Sequence, residues 1–227
     1  MHTPSTKVRH ADRERLANPA VGLTLREASQ LQARFRRIVE RRSCLPKRVR
    51  LVAGLDSAYR GNQAFGAAVT VNLETMKPEE TAAVQRETDF PYVPGFLAFR
   101  EAPIIIGAAM KLKNQPDVYF VDGHGWAHPR RFGLACHVGV ALNAPTIGVA
   151  KSRLCGTVSG NRLRDRGETI GAVLRSGSGK LLYVSVGHKV SLRDAVNIAK
   201  RCFSTESRDP ISLAHIEANR LRDAITP

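Results

Sequence analysis

The chain has 227 residues, 43% of them hydrophobic, which is enough to bury a substantial core within a single domain. No apolar run approaches the roughly 20 residues that a membrane-spanning helix needs, so an integral membrane protein is excluded. Lysine and arginine number 35 against 20 aspartate and glutamate, for a formal net charge of +15. This surplus predicts a polyanionic partner, with nucleic acid as the first candidate and a solvated basic surface as the alternative.

The N-terminal residues 1–19 are polar, basic and without periodicity, which predicts a flexible tail ahead of a single folded domain over residues 20–227. They also lack the apolar middle of a signal peptide. The cysteines show no C-x-x-C pair, which argues against a zinc ribbon or a disulfide scaffold and suits reduced thiols: Cys44, Cys136, Cys155 and Cys202. The expected location is therefore the cytoplasm.

A capping box of Thr24 and Glu27 predicts the start of an amphipathic helix that ends near Arg42. This helix carries arginines on its outer face, which either contacts phosphates or is simply solvated. Three strands joined by short loops then predict an antiparallel meander over residues 49–59, 64–72 and 81–87.

Two carboxylates lie in or at the end of apolar strands. The first strand is apolar on both faces, as central strands are, and contains Asp56, whose charge is costly to bury without a partner. Alternatively, Asp56 begins the turn over residues 57–62. A short apolar run over residues 118–121 ends on Asp122, and a loop rich in glycine and histidine follows. Ligands of open α/β sheets bind at such carboxyl ends of strands.

Between these strands, Pro91, Tyr92, Val93 and Pro94 predict an extended, rigid loop that presents an aromatic side chain. This loop is either a structural turn or an apolar wedge of the kind that enters a base stack.

Glu101 precedes Pro103, and proline suits the first turn of a helix, so Glu101 is predicted at a helix start. Helical spacing places it on the same face as the apolar residues that follow. A carboxylate on this inward face needs a cation, or it is a simple helix-start acid.

A helix over residues 132–143 leads to another apolar strand, residues 146–150, which ends at Lys151. Strand, helix, strand predicts a parallel pair with a right-handed crossover. Farther on, residues 169–175 and 180–186 flank a Ser-Gly-Ser-Gly turn, which predicts a hairpin. An acid on the first strand beside an acid on the fourth is the ribonuclease-H-like arrangement. The predicted fold is therefore α/β, with a central mixed five-stranded sheet (an antiparallel meander plus parallel strands), flanking helices and an added hairpin.

Three carboxylates in this arrangement predict a metal site. Asp56, Glu101 and Asp122 repel one another when packed together, and they are stable as anions only around divalent cations. Hard oxygen ligands suit Mg²⁺, for which Mn²⁺ substitutes. A metal there activates water and stabilises the charge that develops as a phosphodiester breaks. Lys151 is a candidate to neutralise a nearby phosphate.

The chain resembles the endonuclease V family of inosine-specific nucleases, from about Leu23 to the final helix. Five motifs in the same order carry the resemblance: residues 52–56 (VAGLD), 91–95 (PYVPG) leading into 100–101 (RE), 121–130 (VDGHGWAHPR), 146–152 (TIGVAKS) and 186–188 (VGH). Together the five motifs are highly specific, although each is weak by itself.

The resemblance implies a monomeric, Mg²⁺-dependent DNA repair endonuclease. It would hydrolyse the second phosphodiester bond 3′ to deoxyinosine and leave 3′-hydroxyl and 5′-phosphate ends. The three carboxylates would bind metal and act in catalysis together with Lys151 and His215, a position that is Asp in some members. The Pro91 to Pro94 loop would be the wedge that separates strands. The base pocket would be lined by Gly95, Leu97, Gly123 and Leu134.

Other functions stay open at this point. A related nuclease would cut inosine-containing RNA or branched DNA, and a non-catalytic nucleic-acid-binding module would use its carboxylates structurally. A zinc site from His124, His128 and Cys136 is disfavoured by its irregular spacing and by the harder carboxylates. The two histidines of this set either contact DNA or support their loop.

Overall fold

The computed structural model describes residues 10–18, 22–204 and 208–224. The helices are α1 (His10–Ala17), α2 (Leu25–Phe35), a 3-10 turn (Arg36–Ile38), α3 (Leu97–Ala109), α4 (Leu134–Leu142), α5 (Leu192–Phe203) and α6 (Pro210–Asp223). The strands are β1 (Leu51–Arg60), β2 (Gln63–Asn72), β3 (Pro78–Glu87), β4 (Val118–Asp122), β5 (Thr146–Ala150), β6 (Thr157–Ser159), β7 (Arg162–Asp165), β8 (Glu168–Arg175) and β9 (Leu181–His188). No helix in the described part of the chain is both long and apolar enough to cross a membrane.

The strands form one mixed sheet in the order β3-β2-β1-β4-β5-β9-β8-β7-β6. β1, β4 and β5 are parallel neighbours, and the other neighbouring pairs are antiparallel. The α/β class, the mixed sheet of β1 to β5 and the added hairpin (β8 and β9) are confirmed, and the described sheet has nine strands in all. The β8–β9 hairpin continues the sheet, because β9 pairs with the edge of β5 that would otherwise leave buried backbone groups unpaired. β6 and β7 were not predicted because they are short and mostly exposed, without apolar alternation.

Helices cover both faces of the sheet. On one face α5 and α6 close a core around Phe120 and Phe203, whose rings meet edge to face. On the other face α3 and α4 close a second core that includes Ile105 and Tyr119. A third apolar cluster joins α1 and α2 to the outside of α3 and α4. The sheet is therefore the central layer, and its edges and strand ends are where side chains reach solvent.

The predicted N-terminal tail contains a helix over His10–Ala17, which its lack of periodicity did not indicate, and its flexibility stays a prediction. The side chain of Leu16 is 1% exposed and belongs to the third apolar cluster. The carbonyl of Leu16 accepts a hydrogen bond of 2.8 Å from Nε2 of the buried His137. A single apolar contact of this kind has no periodicity that sequence inspection would detect. Residues 1–9 of the predicted tail lie outside the described residues, and the assignment of residues 20–227 to one domain stays a prediction.

A glycine sets the position of α6 on the sheet. A Cβ atom at Gly54 on β1 would overlap the carbonyl of Pro210, the first residue of α6. Asp209 caps this helix by accepting a hydrogen bond of 2.9 Å from the amide of Ser212. The close approach brings the first turns of α6 against β1, two residues before Asp56.

We expect Gly54→Ala to destabilise the protein by about 1–3 kcal/mol or more, because α6 must move away from β1 to admit the methyl group. Gly107→Ala is the matched control, since a Cβ there, in α3, meets only ordinary contacts that begin at 3.4 Å from Arg86. Helix propensity makes this control neutral or slightly stabilising. Thermal unfolding of both variants measures the difference, and equal melting temperatures would contradict the close packing of α6.

Candidate active site

Two carboxylates lie side by side at the carboxyl ends of parallel strands. β1 and β4 pair in register with Leu55 opposite Val121, so the next residues, Asp56 and Asp122, leave the sheet at the same edge. Their side chains are 13% and 20% exposed. The sequence predicted that Asp56 and Asp122 would lie together at this edge.

Glu101 belongs to the same group, but it is not at a helix start. α3 begins at Leu97, so Glu101 lies in the second turn and Pro103 inside the helix. That part of the prediction is wrong because the buried apolar residues Ala98 and Phe99 extend the helix by a turn before Pro103. Pro103 has no N–H to donate to the carbonyl of Phe99, four residues earlier, so α3 lacks one backbone hydrogen bond there but continues to Ala109. The inward direction of Glu101 was predicted correctly.

The electrostatics show how closely these three groups interact. Burial raises the pKa of Glu101 to about 8, and the charges of Asp56 and Asp122 add to the increase. Burial also raises the pKa of Asp56, with Asp122 as the second cause. Glu101 is therefore a neutral acid near pH 7 when no cation is present. A divalent cation would offset both causes of the increase by stabilising the carboxylate anions, so the donor set fits a hard metal ion.

Two basic side chains face these carboxylates. Nζ of Lys151 donates a hydrogen bond of 2.6 Å to Oδ2 of Asp122, and Nδ1 of His215 donates one of 2.7 Å to Oδ2 of Asp56. Burial lowers the pKa of Lys151, but the contact with Asp122 outweighs this effect and raises it overall. In the described part of the chain, no three Asp, Glu, His or Cys side chains are arranged to close around one ion. The two bases satisfy the aspartates in this conformation.

The loop after Asp122 is held down by close backbone contacts. A Cβ at Gly148 on β5 would lie 2.6 Å from the carbonyl oxygen of Gly123. The amide of Gly123 donates to the carbonyl of Val149 at 3.1 Å. Gly123 itself has φ of +149°, and a Cβ there would lie 3.3 Å from Leu134. Only glycine therefore suits this turn, whose exposed surface is mainly backbone.

A cleft of about 470 Å³ joins the carboxylates to most of the residues predicted to handle the base. Tyr92 projects at its mouth with 71% of its surface exposed. Pro91 lines a different cavity, beside the start of α2, and Val93 does not line the cleft. His215 reaches the site from α6 through Asp56. The predicted site residues that line the cleft are Asp56, Tyr92, Pro94, Gly95, Leu97, Glu101, Asp122, Gly123, Leu134 and Lys151.

A polar latch that the sequence did not reveal holds the wedge loop. The Gly95 carbonyl accepts hydrogen bonds from Nε2 of Gln32 at 3.1 Å and from a guanidinium nitrogen of Arg130 at 2.6 Å. The side chain of Gln32 is completely buried, and its Oε1 accepts from Nε of Arg130. Gly95 has φ of +81°, which suits glycine. The latch was not predicted, because Gln32 is a lone polar residue on an apolar helix face and Arg130 was noted only as part of a family motif.

The two loop histidines support the backbone. Nε2 of His128 donates to the Gly95 carbonyl at 3.1 Å, and Nε2 of His124 donates to the carbonyl of Ser152 at 2.9 Å. Burial, followed by the charge of Arg130, lowers the pKa of His128 to about 4, so the ring is neutral. Cys136 is buried and directs its thiol to the carbonyl of Val186. The zinc site that was considered from the sequence therefore has no support in this geometry.

Residues 33–216 match the family model for Endonuclease V. The chain belongs to the endonuclease V family. An endonuclease V from Roseiflexus sp. (strain RS-1) is 41% identical over 212 residues, which cover 89% of this chain and 91% of that protein. The crystal structure of the Streptomyces avermitilis endonuclease V superposes with a TM-score of 0.80 at 35% identity and covers 91% of this chain and 97% of that one. The resemblance inferred from the five motifs is confirmed, and the protein is a hydrolytic endonuclease.

A crystal structure of the Ciona intestinalis endonuclease V contains a 24mer DNA with an inosine followed by a ribo-adenosine. It superposes with a TM-score of 0.77 at 28% identity and covers 89% of this chain and 99% of that one. The shared fold therefore extends across the whole ribonuclease-H-like sheet and its helices.

We expect Gln32→Leu to loosen the wedge loop, because Arg130 and the Gly95 carbonyl each lose a buried partner, at a cost of about 1–3 kcal/mol. Hydrogen exchange of residues 91–96 measures local opening, and thermal unfolding measures the global loss. Gln85→Leu is the control, since its exposed amide bonds only to Gln63 on the surface of the sheet. Unchanged exchange in Gln32→Leu would show that the latch does not hold the loop.

We also expect the metal-free protein to become less stable as the pH rises from about 5 to about 8. The pKa of Glu101 is about 8 in the folded protein against an ordinary value of 4.5. The folded state therefore holds a proton that the unfolded state has released, and raising the pH favours unfolding. Melting temperatures in a chelating buffer test this decline, which Glu101→Gln should remove. Parallel pH profiles for the two proteins would contradict it.

Proposed function

We propose that this protein is a DNA repair endonuclease that hydrolyses the second phosphodiester bond 3′ to deoxyinosine, leaving 3′-hydroxyl and 5′-phosphate ends. The observation that carries the proposal is the single cleft that contains both the carboxylate cluster and the glycine-lined base pocket. The inosine-containing DNA bound to the Ciona relative supports the same substrate. The basic net charge of +15 supports binding to a phosphodiester backbone.

Mg²⁺ is the proposed cofactor, held by Asp56, Glu101 and Asp122, and Mn²⁺ is expected to replace it. When bound, the metal supplies a water of lowered pKa and Lewis-acid stabilisation of the phosphate oxygens. Glu101 would bind the metal as a carboxylate, and the positive charge would offset the burial and the two neighbouring charges that raise its pKa. The hard carboxylate oxygens support this ion over softer metals.

Lys151 and His215 are proposed to act beside the carboxylates. The side chain of Lys151 is 66% exposed, so its ammonium can turn from Asp122 to a scissile phosphate and neutralise it. His215 would orient the Asp56 carboxylate through Nδ1, and its side chain is 54% exposed. Lys151 would therefore exchange its contact with Asp122 for a substrate contact, whereas His215 would keep its contact with Asp56.

Recognition of the base is proposed to depend on tight backbone walls. Gly95, Gly123, Leu97 and Leu134 surround the part of the cleft next to Asp122. Hypoxanthine lacks the 2-amino group of guanine, so a pocket of this kind rejects guanine sterically. The exposed Tyr92 and its flanking prolines support a wedge that fills the gap left by the flipped nucleotide. Flipping costs the least free energy for a poorly paired base such as inosine.

Incubation of a single-inosine duplex with the protein and Mg²⁺ tests the proposal. We expect a nick at the second bond 3′ to inosine, and Asp122→Asn should lower the rate by more than about a hundredfold, because a metal ligand matters more than its supporting partners. Asp223→Asn, at the exposed end of α6, is the control. No inosine-dependent nick, or a nick that survives Asp122→Asn, would refute the proposed function.

Inosine-containing RNA is a second candidate substrate. The DNA bound to the Ciona relative contains a ribonucleotide directly after the inosine. Matched DNA, RNA and junction substrates, cleaved in parallel, separate this candidate from DNA repair and from branched-DNA cleavage.

We further propose that the protein acts as a monomer in the cytoplasm. The four cysteines form no disulfide, which supports a reducing compartment.

A further inference from the structure

A second concave surface, separate from the cleft, is lined mainly by arginine. This arginine groove has a volume of about 540 Å³ and shares no lining residue with the cleft. Its lining includes Arg36, Arg37, Arg41, Arg131 and Arg166, and Glu168 is its acidic member.

Glu168 neutralises only part of the charge of the groove, because its carboxylate pairs with two of the five lining arginines. It pairs with Arg41 at 2.7 Å and with Arg131 at 3.0 Å, and it accepts a hydrogen bond of 2.8 Å from the Trp126 indole. Asp165 pairs with Arg131 as well, at 2.7 Å. These contacts hold two guanidinium groups as a fixed floor for the groove.

The other three arginines carry charge without a carboxylate partner. Arg36, Arg37 and Arg166 are exposed, and none of them forms an ion pair with a described residue. Like charges gathered in one depression repel one another, and a bound polyanion relieves the repulsion. The surface is therefore suited to phosphate oxygens, which guanidinium groups bind well.

The backbone at Arg166 is a second, independent observation. Arg166 and Gly167 have φ of +51° and +77° and form the two-residue turn between β7 and β8. Such turns favour asparagine, aspartate or glycine, and an arginine in this conformation is strained. The geometry of the turn gives no reason for an arginine at this position. The position of its guanidinium group in the groove lining does give one.

The groove lies next to the cleft. Gln32 lines the cleft and Arg36 lines the groove, about 6 Å farther along the same helical segment. On the other side, His128 lines the cleft and the adjacent Pro129 lines the groove. A strand that leaves the cleft along this direction enters the groove within about one nucleotide.

The geometry points to a phosphodiester-binding site in the arginine groove, which holds the nucleic-acid strand that flanks the lesion. The identity of that strand rests on the proposed function, but the affinity of the groove for phosphates does not. The arginines would contact the phosphates of the nucleic acid and not its bases, so the site would add affinity and fix the register of the strand without reading its sequence.

Binding of undamaged DNA in a chelating buffer tests the groove without turnover. The variant Arg36→Ala/Arg37→Ala/Arg166→Ala is compared with a control that removes the same charge from α5, Arg193→Ala/Lys200→Ala/Arg201→Ala. Fluorescence anisotropy over a salt series, with single-stranded and duplex oligonucleotides, gives the affinity and its salt dependence and shows which form is held.

We expect the groove variant to bind roughly tenfold or more weakly at 0.1 M salt and to lose about three units of salt slope. The α5 control should change affinity about twofold at most. Equal losses in both variants, or wild-type binding by the groove variant, would overturn the site.

Arg166→Asn separates binding from folding. Asparagine suits the turn, so this variant should melt at or above the wild-type temperature yet lose about one unit of salt slope. A purely structural Arg166 predicts unchanged binding, which would remove it from the site. Because undamaged DNA is used, failure of the inosine nick would reject the proposed function and leave the groove measurement intact.

Discussion

The burial of three carboxyl groups beside one another is the constraint on which the rest of the site depends. Asp56 and Asp122 share one sheet edge because β1 and β4 are parallel neighbours, and Glu101 approaches from α3. Burial and mutual repulsion raise the pKa of Glu101 to about 8. Lys151 and His215 supply the positive partners that the aspartates need in this conformation. Three neighbouring anions repel one another, so a bound divalent cation would stabilise the site.

Backbone proximity maintains this arrangement. The absence of a side chain at Gly54 lets α6 reach β1 and carry His215 to Asp56. The same absence at Gly148 lets the loop after Asp122 lie across β5. The latch at Gly95 joins the loop of residues 91–95 to that loop through hydrogen bonds from Gln32 and Arg130.

The division of the surface into a cleft and a groove follows from the same loop. His128 faces the cleft and Arg131 faces the groove, so one segment separates the chemistry from the flanking arginines. The arginine face that the sequence left open between solvation and phosphate contact therefore has a place beside the active site. Arg166, in a turn more than a hundred residues away along the chain, completes the groove that these arginines line.

The sequence by itself determined the α/β class, the grouping of the three carboxylates and the family, because apolar periodicity and short ordered motifs are local properties. It misjudged the start of α3 at Glu101, since a proline in an early turn does not show where the helix begins. It missed the latch of Gln32 and Arg130 and the extension of the sheet beyond β5. Tertiary structure alone decided these features, because hydrogen bonds and strand pairing between distant residues leave no periodic signal in the chain.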